Sequence, residues 1–313
     1  MILFQVAHAG FCLGAGILSK VVDRLLQMDE SPPITHVIWD LDGLLIDTES
    51  VYTEANAQAM AKYGKKYTLE LKVMTMGMKH DVSVARVLKE VGLSDTVTVE
   101  EYSVLYDHLL REMLPDCEMM PGAMRLVRHF AKHNIPMAIC TGSCTFEYEL
   151  KVQKHKELTD LIPLRVRINA VFSLEFAKFF EEMCPVLTGD DPAVVHGKPA
   201  PDGFLVTMSR FEKKPAAAKH VLVFEDSPNG VRSAIAAGMQ VVMIPDWNYS
   251  KPPEEVMDRI SAVLDSLEDF RPETMGLPPL ELKGIQLNCL IDLSLVITVL
   301  ADSSYVLAYP TRA

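Results

Sequence analysis

Five short apolar runs rich in β-branched residues constrain the fold more than any other feature of this sequence. They are THVIWD, IPMAICT, CPVLTG, HVLVFED and MQVVMIP, at residues 35–40, 135–141, 184–189, 220–226 and 239–245. Near-continuous apolar runs are typical of strands that are covered on both faces. Helix-like segments precede the second run and separate the fourth from the fifth. Strand alternating with helix predicts a doubly wound, Rossmann-like parallel sheet of the α/β class.

A long segment without strand character, residues 51–119, lies between the first two runs. It has helical periodicity in TEANAQAMAKYG, DVSVARVLKEVGL and EEYSVLYDHLLREML. A crossover between parallel strands needs only about a dozen residues, so we predict that this segment is a helical cap domain inserted after the first strand. Residues 34–50 and 120–279 then form the α/β core.

Three further segments fit this scheme poorly. Residues 1–33 precede the first strand, and residues 280–313 form an apolar tail after the α/β pattern has ended. Residues 162–183 exceed the roughly 2–6 residues that usually connect a helix to the next strand. We therefore expect an N-terminal extension, an appended tail and an atypical insertion within the core.

Charge and hydropathy argue against some classes of binding partner for this chain. Its 313 residues carry a formal net charge of -12, and no basic stripe is present that would bind a nucleic-acid backbone. The N-terminus lacks the basic start of a signal peptide, and the C-terminal apolar run is shorter than the ~20 residues of a membrane span. The six scattered cysteines form no CxxC pair. We expect a cytoplasmic protein without a nucleic-acid or membrane partner, and the sequence leaves its oligomeric state open.

Two aspartates, Asp40 and Asp42, follow the first run in VIWDLDGLLIDTES. Alternate residues of a strand lie on one side, and carboxylates this close repel each other unless they share a proton or a cation lies between them. Mg²⁺ typically binds one or two carboxylates together with substrate phosphate. The alternative is a turn or a helix cap, because DxDG is also a turn sequence. The pair alone does not decide between them.

The second run ends in Thr141, Gly142 and Ser143, and Lys198 lies in HGKPAPD after the third run. In sheets of this class, ligands bind beyond the carboxyl ends of the strands. A hydroxyl and backbone amides at residues 141–143 can hold a phosphate oxygen, and a lysine in a stiff loop can neutralise phosphate charge. Plain turn chemistry and a solvated surface lysine are the alternatives for each feature taken alone.

The fourth run ends in a second acidic pair, Glu225 and Asp226. Two carboxylates at the end of a buried strand are costly without a cation. Asp226 or Ser227 could instead cap the following helix, but that explanation covers one carboxylate more readily than both. The pair therefore favours a cation site at the same edge of the sheet.

The order DxDG, Thr, Lys and Glu-Asp resembles that of the haloacid dehalogenase-like hydrolases. The resemblance covers about residues 35–279 and rests on four segments, THVIWDLDGLLIDTE, MPGAMRLVRHFAKHNIPMAICTGS, GDDPAVVHGKPAPDGFL and LVFEDSPNGVRSAIAAGMQVVMIPD. These segments look most like the pseudouridine-5'-phosphatase branch, and the helical insert takes the position of the family's cap. Trp39 replaces the phenylalanine that is usual there, and we expect this exchange between large apolar residues to be tolerated.

The resemblance implies a role for each candidate residue. Asp40 would be the nucleophile and form an aspartyl-phosphate. Asp42 would be general acid to the leaving alkoxide and then general base to water. Thr141 would hydrogen-bond the phosphoryl group, with Gly142 and Ser143 beside it in the substrate site.

The same resemblance implies a magnesium cofactor. Asp40, the backbone carbonyl of Asp42, Glu225 and Asp226 would hold Mg²⁺, with Glu225 either direct or through water. Lys198 would neutralise the charges of the nucleophile and the phosphate. The metal and the lysine would together allow an anionic nucleophile to approach an anionic phosphate.

The implied activity is hydrolysis of a small phosphorylated metabolite, such as pseudouridine 5'-phosphate. In the cap, TMGMKHDVS at residues 75–83 places Lys79 and His80 in a loop that can close over the substrate. The alternative is that these two residues only decorate a solvated turn. Two other functions remain open: a sugar phosphomutase built on the same core, and an isoform whose catalysis is impaired by the insertion and the tail.

Overall fold

The fold is built on one six-stranded parallel sheet in a computed structural model that describes residues 33–75, 80–162 and 186–281. The strand order is β3-β2-β1-β4-β5-β6. The strands are β1 His36–Trp39, β2 Met137–Cys140, β3 Val186–Leu187, β4 Val221–Glu225, β5 Gln240–Met243 and β6 Ala262–Val263. β1 is central, with β2 on one side and β4 on the other.

Helices connect the strands of this sheet. In the region after β1 they are α1 Thr48–Ala61, α2 Leu69–Thr75, α3 His80–Glu90 and α4 Val99–Met113. In the rest of the described chain they are α5 Ala123–Lys132, α6 Thr145–Lys151, α7 Lys156–Leu161, α8 Asp202–Arg210 and α9 Pro228–Ala236. Local capping sets two of the starts: Asp47 accepts a hydrogen bond from the Ser50 N–H before α1, and Thr98 forms a capping box with Glu101 before α4.

Both faces of the sheet are covered, which explains why its strands are apolar throughout. On one face, Ile38 and Val223 belong to a buried cluster that includes side chains of α8 and α9. On the other face, the Trp39 indole stacks on Phe224 at 4.5 Å between ring centroids and lies 5.8 Å from Phe130 of α5. Alternate residues of each strand thus fill opposite layers, and the predicted doubly wound parallel α/β fold is confirmed.

The structure also departs from the sequence-based prediction. β6 and α2 were not predicted, and α1 begins at Thr48, inside the segment that we assigned to the core. The cap boundaries therefore stay a prediction. The segments outside the described residues include 1–32, 163–185 and 282–313. The predicted N-terminal extension, insertion and tail therefore fall largely outside the described part of the chain. No helix in the described part of the chain is long and apolar enough to cross a membrane.

Candidate active site

The candidate site lies where the three central strands end. Asp40 directly follows β1, Thr141 directly follows β2, and Glu225 is the last residue of β4. Because β1 pairs with both other strands in parallel, their carboxyl ends meet at one edge. The chain leaves β1 toward β2 on one side and reaches β4 on the other, so this edge is the topological switch point where α/β sheets bind ligands.

Three carboxylates converge at this edge. Asp40, Glu225 and Asp226 each offer an oxygen within 4.8 Å of the others. The Lys198 ammonium lies between two of them: its Nζ donates to Asp40 Oδ1 at 2.5 Å and to Glu225 Oε1 at 2.6 Å. It also donates to the Cys140 carbonyl at 3.1 Å. One ammonium thus faces three acidic groups.

The pKa values of these groups reflect burial first and the excess of negative charge second. Burial raises the pKa of Asp40 to about 7, against the opposing effect of Lys198 and with further upward contributions from Glu225 and Asp42. Burial, followed by Glu225 and Asp40, raises the pKa of Asp226 well above its usual value. Burial alone would lower the pKa of Lys198, but Asp40 and Glu225 raise it well above its usual value. Oxygen ligands that lack a balancing charge suit a hard divalent cation.

Two glycines make room for the acidic side chains. A Cβ on Gly230 would lie 1.8 Å from the Glu225 carboxyl carbon, and a Cβ on Gly43 would lie 2.7 Å from Asp226 Oδ2. Gly43 also has a φ of +76°, which disfavours other residues.

The cap of α9 is Ser227, whose hydroxyl accepts from the Gly230 N–H and donates to Glu225 Oε2. Helix capping therefore does not account for Asp226.

Asp42 has a different environment, made of hydrogen-bond donors. Thr48 donates to its Oδ1 at 2.9 Å, and the Lys151 ammonium lies 2.6 Å from the same oxygen. Thr141 and Ser143 donate to its Oδ2 at 2.9 and 2.8 Å. Burial alone would raise the pKa of Asp42, but Lys151 and the hydroxyls of Ser143 and Thr48 lower it. Asp42 is thus held in its ionised form.

Sequence reasoning missed Lys151 and Thr48. Lys151 is the last residue of α6 and is fully buried, although a basic residue in the last turn of a helix ordinarily complements the helix dipole at the surface. A weak signal was available, since Lys151 lies three residues after Tyr148 and shares its buried helix face. Thr48 looks like an ordinary first-turn residue, and nothing local marks its contact with Asp42.

The turn after β2 brings the predicted phosphate-binding residues together. The Thr141 hydroxyl accepts from the Ser143 N–H at 3.0 Å while it donates to Asp42. Gly142 is exposed. Its carbonyl oxygen lies close to Gly189, where a Cβ would be only 2.2 Å away, so residue 189 must be glycine. The roles of residues 141–143 toward phosphate stay a prediction.

Of the two predicted cap residues, His80 is described, and no contact joins it to this cluster within the described residues. His80 is hydrogen-bonded to Ser103 at 2.9 Å, and its ring stacks on Tyr106 at 5.7 Å between centroids. None of its contacts within the described ranges is with the carboxylates. Lys79 lies outside the described residues. Substrate contact by either residue therefore stays a prediction.

Comparison with known proteins identifies the family. The model of the haloacid dehalogenase-like hydrolases matches residues 34–238, which is more than half of the chain. The chain belongs to this family, and it is an enzyme of the phosphatase group within it.

Relatives with named activities fall into two substrate classes. The chain is 44% identical to (DL)-glycerol-3-phosphatase 2 of Arabidopsis thaliana, covering 79% of this chain and 93% of the relative. It is 38% identical to the probable pseudouridine-5'-phosphatase of Drosophila melanogaster, covering 78% and 95%. A haloacid dehalogenase hydrolase of Entamoeba histolytica has the same fold, with a TM-score of 0.57, 20% identity and coverage of 78% and 98%. The predicted likeness to pseudouridine-5'-phosphatases is confirmed, and glycerol-3-phosphatases are similar as well.

Proposed function

We propose that this protein is a magnesium-dependent phosphomonoesterase that works through an aspartyl-phosphate on Asp40. The observation that carries the proposal is the grouping of Asp40, Glu225 and Asp226 within 4.8 Å, with Lys198 bonded to two of them. In this arrangement Asp40, which would be the nucleophile, lies beside the Lys198 ammonium. It also lies beside the carboxylate oxygens of Glu225 and Asp226, which would bind Mg²⁺. Membership of a phosphatase family supports the same conclusion.

In the first step, an oxygen of Asp40 attacks phosphorus and the bond from phosphorus to the ester oxygen breaks. Asp42, which is ionised before substrate binds, takes a proton from the substrate's phosphate monoanion and donates it to the leaving alkoxide. In the second step, Asp42 takes a proton from water, whose oxygen attacks phosphorus, and the aspartyl-phosphate bond breaks to release phosphate and Asp40. Lys198 reduces the repulsion between Asp40 and the phosphate in both steps.

The carboxylate group fits a magnesium ion. Asp40, Asp226 and the backbone carbonyl of Asp42 would hold it, with Glu225 as a direct or water-mediated ligand. When bound, Mg²⁺ neutralises charge on the phosphoryl oxygens. Its positive charge would also offset the neighbouring carboxylates, which together with burial, the larger cause, raise the pKa of Asp40 and Asp226.

The substrate in this proposal is a small phosphorylated metabolite. Glycerol 3-phosphate and pseudouridine 5'-phosphate are the two candidates, because relatives at 44% and 38% identity carry those names. Lys79 and His80 of the cap would contact the part of the substrate beyond the phosphate. Cytoplasmic location remains an expectation from the sequence.

The test is phosphate release from a panel of phosphorylated polyols, sugars and nucleosides, with Mg²⁺ and with chelator. We expect release that requires Mg²⁺ and is absent in Asp40→Asn. A phosphomutase would instead yield an isomeric sugar phosphate with little free phosphate. An impaired isoform would give neither product, and Mg²⁺ with a phosphate mimic would not raise its melting temperature.

A further inference from the structure

The Lys151 ammonium is enclosed by groups from three parts of the molecule. It lies 2.6 Å from Asp42 Oδ1, donates to the Ser143 hydroxyl at 2.5 Å, and lies 5.3 Å from the ring centroid of Tyr52 in α1. Its side chain is fully buried. The ammonium is therefore shielded from water and directed at the carboxylate that would transfer protons.

A stabilising role alone does not explain this arrangement. Lys151 is fully buried, whereas the Asp42 side chain is 21% exposed. Taking a charge out of water costs several kcal/mol, and apolar residues of similar size are often as stable or more so. Stability is thus weak justification for a buried lysine at this place. Its contacts with Asp42 and Ser143 point to the reaction instead.

The four donors around Asp42 are not equivalent. An ionised carboxylate has about four lone-pair sites, and Thr48, Lys151, Thr141 and Ser143 occupy four. All four donors face an ionised acceptor, but only Lys151 also brings a full positive charge, which adds Coulomb attraction to Oδ1 at 2.6 Å. Neutral hydroxyls hold Oδ2, so an incoming proton displaces a donor more easily from Oδ2 than from Oδ1.

We propose that Lys151 is a positioning residue that anchors Oδ1 of Asp42 and leaves Oδ2 as the oxygen that exchanges protons with the leaving group and with water. This inference rests on the proposed function. Thr141 gives it a trigger: when its hydroxyl turns toward a bound phosphoryl group, one of the two occupied positions on Oδ2 becomes free for a proton. Tyr52 and Thr48, both from α1, complete the enclosure from the side of the cap.

The test is a double-mutant cycle between Lys151→Met and Asp42→Asn. Methionine is one atom shorter than lysine, so it fills most of the same space and removes the charge. We expect Lys151→Met to lower kcat on an alkyl phosphate about 10²-fold, within the range of acid–base catalysis. In the Asp42→Asn background the same substitution should cost less than about 3-fold, because residues that act as a unit are not additive. Lys151→Arg, which keeps the charge, should recover part of the loss.

A second readout separates positioning from stability. With p-nitrophenyl phosphate the leaving group needs no proton, so Lys151→Met should still form the aspartyl-phosphate but hydrolyse it slowly. We expect a burst of nitrophenol close to one per enzyme in the variant and a smaller burst in the wild type. Loss of folded protein alone would lower the burst and the steady rate together. Lys156→Met is the matched control, because that side chain is 82% exposed, and it should behave as wild type.

Additive losses in the cycle, or Lys151→Met without a burst, would overturn the inference. Should Lys151→Met fail to fold, Lys151→Gln, which keeps a hydrogen-bond donor but not the charge, replaces it in the cycle with Asp42→Asn, with the same expectation of non-additivity. The proposed function fails separately, if wild type releases no phosphate or if Asp40→Asn stays active. This inference alone would be rejected if wild type is active, Asp40→Asn is inactive, and the losses of Lys151→Met and Asp42→Asn are additive.

Discussion

The two aspartates of the DxDG motif lie two residues apart and occupy opposite kinds of environment. The acidic side of the site contains Asp40, Glu225 and Asp226 around Lys198. The donor side contains Asp42, held by Lys151 and by three hydroxyls. Burial raises the pKa of Asp40 to about 7. Burial alone would also raise that of Asp42, but Lys151 and its hydrogen bonds lower it.

This difference shows how one residue type performs two tasks. Environments that push the pKa values of paired carboxyl groups apart usually separate their roles. The acidic side has three carboxylates around one ammonium, so its excess negative charge would attract a metal ion, which could then hold a phosphate. The donor side is already balanced, so Asp42 can be kept oriented for proton transfer. We therefore expect substitutions on the two sides to impair different steps of the reaction.

The largest effect should come from Asp40→Asn on the acidic side. An amide cannot act as the anionic nucleophile, so we expect turnover to fall at least about a thousandfold and labelling by radioactive phosphate to disappear. Asp42→Asn should instead retain labelling with p-nitrophenyl phosphate while hydrolysis slows. Asp160→Asn is the control, since Asp160 is exposed and pairs only with Lys156 among the contacts described. Similar labelling in both site variants would remove the distinction between the two sides.

The next effect concerns pH and metal on the acidic side. A carboxyl group whose pKa is raised on folding binds its proton more tightly in the folded state. Its contribution to stability is present below the unfolded pKa, about 4, and is lost as pH rises through the folded value. Since the pKa of Asp40 is raised to about 7, metal-free wild type should lose melting temperature relative to Asp40→Asn between about pH 4 and 7.

Adding Mg²⁺ at pH 7 should restore several degrees to wild type and fewer to Asp40→Asn, because the ion binds the folded state. Parallel melts at each pH, with and without chelator, check this. Wild type and Asp40→Asn curves that run parallel in the metal-free state would contradict the acidic side as described. The pKa of Asp42 is lowered, so its contribution to stability increases with pH. Both proteins contain Asp42, and the difference between their melting temperatures therefore reports on Asp40.

The acidic side can be predicted from the sequence more fully than the donor side. Every group on the acidic side follows a recognisable strand or lies in the GKP loop, so local sequence and strand order place Asp40, Lys198 and Glu225 together. The donor side depends on where α1 and α6 pack. Thr48 and Lys151 look like ordinary helix residues until tertiary contacts direct them at Asp42.

The fold shows the same limit. The apolar runs predicted five strands because burial on both faces leaves a clear pattern. β6 has only two residues, Ala262–Val263, and both are partly exposed, so no pattern marks it. α2 has seven residues, Leu69–Thr75, of which two are buried. Short, half-exposed elements owe their conformation to neighbours, which sequence periodicity does not record.

A moderate effect should follow from Gly230→Ala, which crowds the acidic side. Alanine favours a helix by up to about 1 kcal/mol over glycine. However, its Cβ would lie 1.8 Å from the Glu225 carboxyl carbon, and overpacking typically costs about 1–3 kcal/mol. We expect a net loss of unfolding free energy in denaturant titration and weaker Mg²⁺ binding. Gly197→Ala, where a Cβ meets nothing within 4 Å, is the matched control. Equal stability of the two variants would mean that Glu225 moves freely.

The smallest effect should come from Trp39→Phe, in the apolar layer beneath both sides. The Trp39 indole is fully buried against Phe224 and Phe130, and its Nε1 finds no hydrogen-bond partner among the described residues. Phenylalanine removes this unsatisfied donor, worth about 1–3 kcal/mol, but leaves a small cavity of similar cost. The two contributions oppose each other, so unfolding free energy should change by less than about 1 kcal/mol.

Trp39→Ala provides the contrast for this substitution, because it removes the whole ring and should cost about 3–5 kcal/mol. Turnover and the nitrophenol burst of Trp39→Phe should match wild type, since neither Lys198 nor Lys151 loses a contact. A variant that folds stably but loses turnover would contradict this expectation. It would mean that the layer under the sheet edge sets the spacing between Asp40 and Asp42, and that the two sides of the site are not independent.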